Sequence, residues 1–133
     1  MLSETPGGTR IIAIVEDDAS FNRALERLLR ASGFDTETFF SAEDFLARAR
    51  PESPACLILD IRLPGMSGFQ LFDRLSESGS PPLVVFITAQ TEEAVHQQAY
   101  RLSGHVCLRK PLVGAVLLEA LHSQLRRNGS GQE

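Results

Sequence analysis

The chain has 133 residues, of which 43% are hydrophobic and 23% charged, with 17 acidic against 13 basic side chains and a formal net charge of −4. That is enough chain for one domain with a single core, and its mild acidity provides no electrostatic footprint for direct nucleic-acid binding or for an anionic membrane. No apolar run approaches the ~20 residues of a membrane helix, and Met1 to Arg10 lacks the basic start and apolar stretch of a signal peptide. The expected compartment is the cytoplasm, with no membrane contact.

Residues 1–10, with Gly, Thr and Pro, read as a flexible tail. Ile11 to Val15 is a β-branched run that predicts a first strand, ended by Glu16-Asp17-Asp18. Phe21, Leu25, Leu28 and Leu29 then recur at helical spacing, with Asp18 as the expected N-cap and Gly33 at the stop. Asp35 to Phe40 predicts a second strand. Ser41 with Asp44 resembles a capping box for a helix that turns Ala42, Phe45, Leu46 and Ala49 inward, closed by Pro51 and Pro54.

Cys56 to Asp60 is a continuous apolar run closed by one carboxylate, as expected of a strand buried on both faces. Pro64-Gly65 forms a turn, and Ser67 caps a helix carrying Leu71, Phe72 and Leu75. Residues 78–82 read as a loop. Leu83 to Ile87 predicts a fourth strand running into Thr88-Ala89, and Thr91 is the expected cap of a helix with Val95, Ala99 and Leu102 inward. His105 to Leu108 predicts a fifth strand, stopped by Arg109-Lys110-Pro111. The last helix holds Val113, Val116, Leu117, Ala120, Leu121 and Leu125, and residues 128–133 read as a flexible C-terminal tail.

Five strand–helix pairs in strict alternation predict an α/β domain over residues 11–127: a doubly wound parallel sheet with helices on both faces. In such a sheet the carboxyl ends of all strands share one edge, which is where open α/β sheets place their chemistry. Those ends carry Glu16-Asp17, Asp60, Thr88 and Lys110. Taken singly, each has an ordinary structural role as a cap, a turn former or a solvated strand end. Together they put three carboxylates, a hydroxyl and an ammonium in one cleft. Two carboxylates ~4 Å apart repel by roughly 4 kcal/mol at an effective dielectric near 20, and one lysine leaves the cleft about two charges negative. A divalent cation removes that imbalance. An all-oxygen site suits Mg²⁺, whereas zinc would need Cys or His ligands that do not cluster here. Such a site has the parts for phosphoryl transfer to a carboxylate. His96, His105 and His122 read as surface or boundary residues, and the two cysteines as reduced, structural thiols.

Ile-Val-Glu-Asp-Asp at 14–18, Leu-Asp-Ile-Arg-Leu-Pro-Gly-Met-Ser-Gly at 59–68, Phe-Ile-Thr-Ala at 86–89 and Lys-Pro at 110–111 resemble the receiver domain of two-component response regulators. The resemblance runs from about Arg10 to Arg127, and the 62–68 loop is most similar to the branch carrying LuxR/FixJ-type output domains. It implies a CheY-like, flavodoxin-like fold with five helices and strand order 2-1-3-4-5. It also implies that Asp60 accepts a phosphoryl group from a sensor histidine kinase. Asp17, Asp60 and the backbone carbonyl of Arg62 would hold Mg²⁺, with Glu16 acting through a water. Lys110 would pair with the aspartate and then with the phosphate, Thr88 would turn toward the phosphoryl oxygens, and small Ala89 would leave access to the acceptor. The implied protein is a signalling switch, stand-alone or part of a transcription regulator, whose catalysis stops at its own phosphotransfer and dephosphorylation. Homodimerisation through the face of the fourth helix, fifth strand and fifth helix is also implied, and the family's peptide at Lys110-Pro111 is often cis.

One position departs from the pattern. Three residues before the lysine the family usually has Tyr or Phe as a rotamer switch coupled to the threonine, and here it is Cys107. A thiol cannot swing a ring, so phosphorylation chemistry is expected to survive while the readout is altered. A Cys56–Cys107 disulfide is not expected, because strand four separates their strands by roughly 9–10 Å. Two other classes share parts of the pattern. A haloacid-dehalogenase-like phosphatase would need a second Asp where Arg62 stands. A flavodoxin-like cofactor or interaction module would use the acids only as caps.

Overall fold

The structure, a computed structural model, describes residues 10–50, 54–77, 79, 81–104 and 107–130. The elements alternate as β1 (Ile11–Val15), α1 (Ala19–Ala31), β2 (Asp35–Phe39), α2 (Ala42–Arg48), β3 (Cys56–Asp60), α3 (Gly68–Ser76), β4 (Val84–Thr88), α4 (Glu93–Ser103), β5 (Leu108–Arg109) and α5 (Gly114–Ser130). The five strands form one parallel sheet in the order β2-β1-β3-β4-β5. The doubly wound expectation holds, including the strand order.

The two-residue period of each strand sorts its side chains into two cores. Ala13, Val15, Leu57, Leu59, Val84 and Phe86 point to one face and pack with Phe45 of α2, Leu71 and Phe72 of α3, and Ala99 of α4. Ile12, Ile14, Cys56, Ile58, Val85 and Ile87 point to the other and pack with Leu25 and Leu29 of α1 and Leu117 and Leu121 of α5. Each such Leu, Ile or Phe removed from water contributes roughly 1.5–3 kcal/mol before conformational entropy is counted. Aromatic contacts knit the first core: Phe39 meets Phe45 edge-on at 5.1 Å, and Phe69 meets Phe86 at 5.2 Å.

Local signals set the helix starts. Asp18 accepts from the Phe21 N–H, and Ser41 accepts from the Asp44 N–H, while Asp44 itself is held by Arg48. Ser67 forms a full capping box with Gln70. Thr91 is not a cap: α4 begins after Glu92, whose side chain makes no capping hydrogen bond. At the other end of α1, Gly33 supplies the positive φ of 97° beyond the C-cap Ser32.

Other boundaries shift. β2 stops at Phe39, its last pairing with Val15, and leaves Phe40 44% exposed. β5 is only Leu108–Arg109, because pairing with β4 is confined to Ile87 and Thr88, and Cys107 precedes it. His105 and Val106, expected to open that strand, lie outside the described residues, as do residues 1–9, Pro51, residues 78 and 80 of the expected loop, and 131–133. α5 continues to Ser130, past the expected end at Arg127. Val113, expected within the last helix, precedes α5, and it and Val116 are 63% and 47% exposed, since the buried stripe of α5 runs through Leu117, Leu121 and Gln124. Cys56 and Cys107 are free and belong to opposite faces of the sheet, a stronger bar to a disulfide than their separation. Among the described residues no helix is long and apolar enough to cross a membrane.

Candidate functional site

Parallel pairing brings the strand ends together, as anticipated. Glu16 follows β1, Asp60 closes β3, Thr88 closes β4, and Lys110 follows β5. Glu16 and Thr88 are completely buried and Asp60 is 3% exposed, whereas Asp17 is exposed. Glu16, Asp17 and Asp60 each offer an oxygen within 4.8 Å of the others.

The contacts assign each group a task. Lys110 Nζ donates to Asp60 Oδ2 at 3.0 Å and lies 2.7 Å from Glu16 Oε1. It also sits 4.7 Å over the Phe21 ring, a cation–π contact that shields one side of the ammonium. The other Asp60 oxygen, Oδ1, accepts from the Arg62 N–H at 3.0 Å, and Glu16 Oε2 accepts from the Asp18 N–H at 2.9 Å. One ammonium shared between two buried carboxylates, with a third acid beside them, leaves the cluster an excess of negative charge that a hydrated divalent cation offsets.

Electrostatics agree. Burial pushes Glu16 up to about 7, and the nearby Asp60 charge adds to the rise, against the opposing effects of Lys110 and the Asp18 N–H. Burial works to lower Lys110, but its bonds to Glu16 and Asp60 outweigh it, so the ammonium is held above its ordinary value. The three-acid, all-oxygen cluster therefore fits a hard divalent cation.

The loops that hold these groups depend on backbone detail. Gly68 opens α3 directly against the end of β3, its N–H donating to the Ile61 carbonyl at 2.9 Å. A Cβ there would stand 2.4 Å from the Asp60 carbonyl oxygen and 2.9 Å from Ile61 Cα, so no larger residue fits without moving the loop. Glu43 of α2 accepts from the Met66 N–H at 2.8 Å, which fastens the outer part of the same loop. The Lys110-Pro111 peptide is cis.

Sequence reasoning missed two groups here. Asn22, 1% exposed on α1, donates through Nδ2 to the carbonyls of Glu16 at 3.0 Å and Phe39 at 3.1 Å, and so fixes the chain where the acidic pair begins. A polar residue on the apolar stripe of α1 was the available signal. Gln90 is the second. Its N–H donates to Thr88 Oγ1 at 3.1 Å, and its side-chain oxygen, turned toward Arg62, accepts from Nε and Nη1 at 3.3 Å each. Ala89, between them, is exposed beside the acceptor. Cys107 is 7% exposed and lies among the core residues on the α4 side.

An open parallel sheet with a buried aspartate, an acidic pair and a lysine converging at its carboxyl edge defines a CheY-like class of α/β domain. The chain belongs to the response regulator receiver domain family, whose sequence pattern matches residues 12–122. It is 32% identical over 128 residues to the transcriptional regulatory protein TdiR of Thauera aromatica, which covers 96% of this chain and 56% of that one. It is 28% identical over 117 residues to the transcriptional regulatory protein FixJ of Azorhizobium caulinodans, covering 88% of this chain and 56% of the relative. The fold matches the response regulator StyR with a TM-score of 0.83 at 36% identity, over 93% of this chain and 63% of that one. The chain thus spans about half the length of the curated relatives it matches. The expected kinship with FixJ holds.

Proposed function

We propose that this receiver is a Mg²⁺-dependent switch in which Asp60 accepts a phosphoryl group from the phosphohistidine of a sensor histidine kinase. The observation that carries the reading is Asp60 itself. It is a nearly buried carboxylate with one oxygen on Lys110 and the other on the Arg62 N–H, beside two further acids.

Asp17, Asp60 and the Arg62 carbonyl would hold the cation, with Glu16 acting through a water. When bound, Mg²⁺ supplies charge neutralisation for the phosphoryl oxygens. One Asp60 oxygen attacks phosphorus, an O–P bond forms, the P–N bond to the kinase imidazole breaks, and the released imidazole nitrogen keeps the electron pair and takes a proton. Lys110, already aimed at Asp60, follows the charge from carboxylate to phosphoryl oxygen. Thr88 is positioned at the end of the neighbouring strand to turn its hydroxyl the same way, and exposed Ala89 leaves the approach open. On this reading the chain is not an enzyme with a diffusible substrate, and its catalysis ends with its own phosphotransfer and slow hydrolysis of the acyl phosphate. The names of its relatives support a role in transcription regulation, either as the receiver part of a longer regulator or through contact with a separate protein. Self-association through α4, β5 and α5 fits the 53% exposure of Tyr100 there, and sedimentation before and after phosphorylation tests it.

The decisive experiment is intact-mass measurement after incubation with acetyl phosphate, with and without Mg²⁺, beside Asp60→Asn. A Mg²⁺-dependent gain of one phosphoryl group, absent in the variant, is expected. Equal labelling of Asp60→Asn would overturn the assignment of the acceptor.

A further inference from the structure

We propose that His96 carries the state of the phosphorylation site to α4, in place of the ring that Cys107 cannot provide. The inference rests on the reading of Asp60 and Thr88 given above and adds a positioning residue to it.

The path is a continuous chain of hydrogen bonds through one residue. Gln90 donates its N–H to Thr88 Oγ1 at 3.1 Å, and its carbonyl oxygen meets His96 Nε2 at 2.7 Å. A carbonyl only accepts, so Nε2 carries the hydrogen and His96 is the donor. The side chain of Gln90 meets Arg62 of the β3–α3 loop at the same time. A single residue therefore joins the hydroxyl at the site, the acceptor's own loop and the first half of α4.

The first half of α4 is held by little else. The N-cap Glu92 makes no side-chain capping bond, and the buried residues of the helix are Ala99 and Ser103 in its second half. In the first half, Val95 packs against the core only in part, and His96 is half-buried. Among the described residues the helix end nearest the site is thus anchored through part-buried Val95 and the His96 imidazole, and such lightly packed ends move most readily. His96 also lines a groove of about 920 Å³ with Glu93, Tyr100, Arg101, Cys107 and Arg109, so displacing it reshapes the outer surface between α4 and β5.

When the Thr88 hydroxyl turns to a phosphoryl oxygen, the Gln90 N–H loses its acceptor. The peptide is then free to rotate, its carbonyl leaves His96, and the front of α4 is released. Each hydrogen bond in the chain biases such an equilibrium by about threefold to tenfold.

The test uses nuclear magnetic resonance and amide exchange on the full chain, with Mg²⁺ and beryllofluoride as the phosphoryl mimic. In the unmodified protein the His96 imidazole signal is expected to shift on adding the mimic, and amides 91–97 to exchange about threefold to tenfold faster. His96→Leu is expected to show that faster exchange before the mimic is added and no further change after it, while acetyl phosphate still labels Asp60. His96→Gln, which keeps a donor, should restore the response. Thr88→Ala should shift the His96 signal with no mimic present. An unmoved His96 signal in Thr88→Ala, or a His96→Leu response to the mimic equal to the unmodified protein's, overturns the proposal while Asp60 remains labelled. Failure of Asp60 labelling in the unmodified protein would instead overturn the phosphoacceptor reading.

Discussion

Lys110 Nζ lies 2.7 Å from Glu16 Oε1 and 3.0 Å from Asp60 Oδ2, so one ammonium that follows β5 is shared by two buried carboxylates at the ends of the neighbouring strands β1 and β3. Removing it leaves two like charges facing each other in a poorly solvated cleft. Lys110→Ala is expected to lose about 3 kcal/mol of unfolding free energy in chelator, the cost of orphaning a buried ion-pair partner. Mg²⁺ should return part of it. Urea unfolding with and without Mg²⁺ checks both; equal loss under the two conditions would detach Lys110 from the acidic cluster.

Glu16 carries a pH signature. Its carboxyl titrates near 7 in the folded chain against an ordinary 4.5, so between those values the folded state holds a proton that the unfolded state has released. Stability without divalent cations should therefore fall as pH rises from about 4.5 to about 7, and level off above. Proton and cation compete for the same oxygens, so Mg²⁺ affinity should weaken as pH drops below about 7. Glu16→Gln should flatten the stability slope, which chemical denaturation across that range reads directly.

The contact of Gly68 with the Asp60 carbonyl predicts a steric lesion rather than a chemical one. Gly68→Ala places a methyl 2.4 Å from a backbone oxygen. The loop must move, at a cost of about 1–3 kcal/mol. Labelling by acetyl phosphate should slow by about tenfold or more, because the acceptor shifts relative to its partners. Single-turnover labelling kinetics decide the point, and an unchanged rate would show that the loop adapts without disturbing Asp60.

Both cysteines should be inert in the folded chain. Burial pushes each thiol up to about 12, with the Asp60 charge adding to the effect at Cys107. Since the thiolate is the nucleophile, iodoacetamide at pH 8 should modify the native protein about a thousandfold more slowly than the urea-unfolded protein. Rapid native alkylation of Cys107 alone would reveal opening of the α4 side of the core.

Much of the molecule was legible in its residues, because the signals are local. The continuous apolar runs Ile11 to Val15, Cys56 to Leu59 and Leu83 to Ile87 reflect strands covered on both faces, and Asp18, Ser41 and Ser67 bond their own helices within three residues. The convergence of Glu16, Asp17, Asp60, Thr88 and Lys110 was legible too, since parallel pairing forces all strand ends to one edge. Thr91 misled because a cap residue is only a candidate until the chain direction brings its oxygen to an N–H, and here α4 starts one residue later.

What only the tertiary structure decided is which groups meet across distance. Helical spacing marks an apolar stripe on α5 but not how far neighbours cover it, so Val113 and Val116 were indistinguishable from Leu117 and Leu121 until the packing left them exposed. Asn22 and Gln124 interrupt apolar stripes of their helices. They are buried because remote carbonyls of Glu16, Phe39, Val84 and Ser103 lie within reach of their amides. The bond from His96 to the Gln90 carbonyl is of the same kind, since a side-chain donor acquires its meaning only when the fold supplies the acceptor. By itself, then, the amino-acid order determined the sheet, its two cores and the edge where the chemistry sits, because those follow from short-range periodicity. The partners of its buried polar groups had to wait for the fold, because a hydrogen bond requires placement to a few tenths of an ångström that no periodicity encodes.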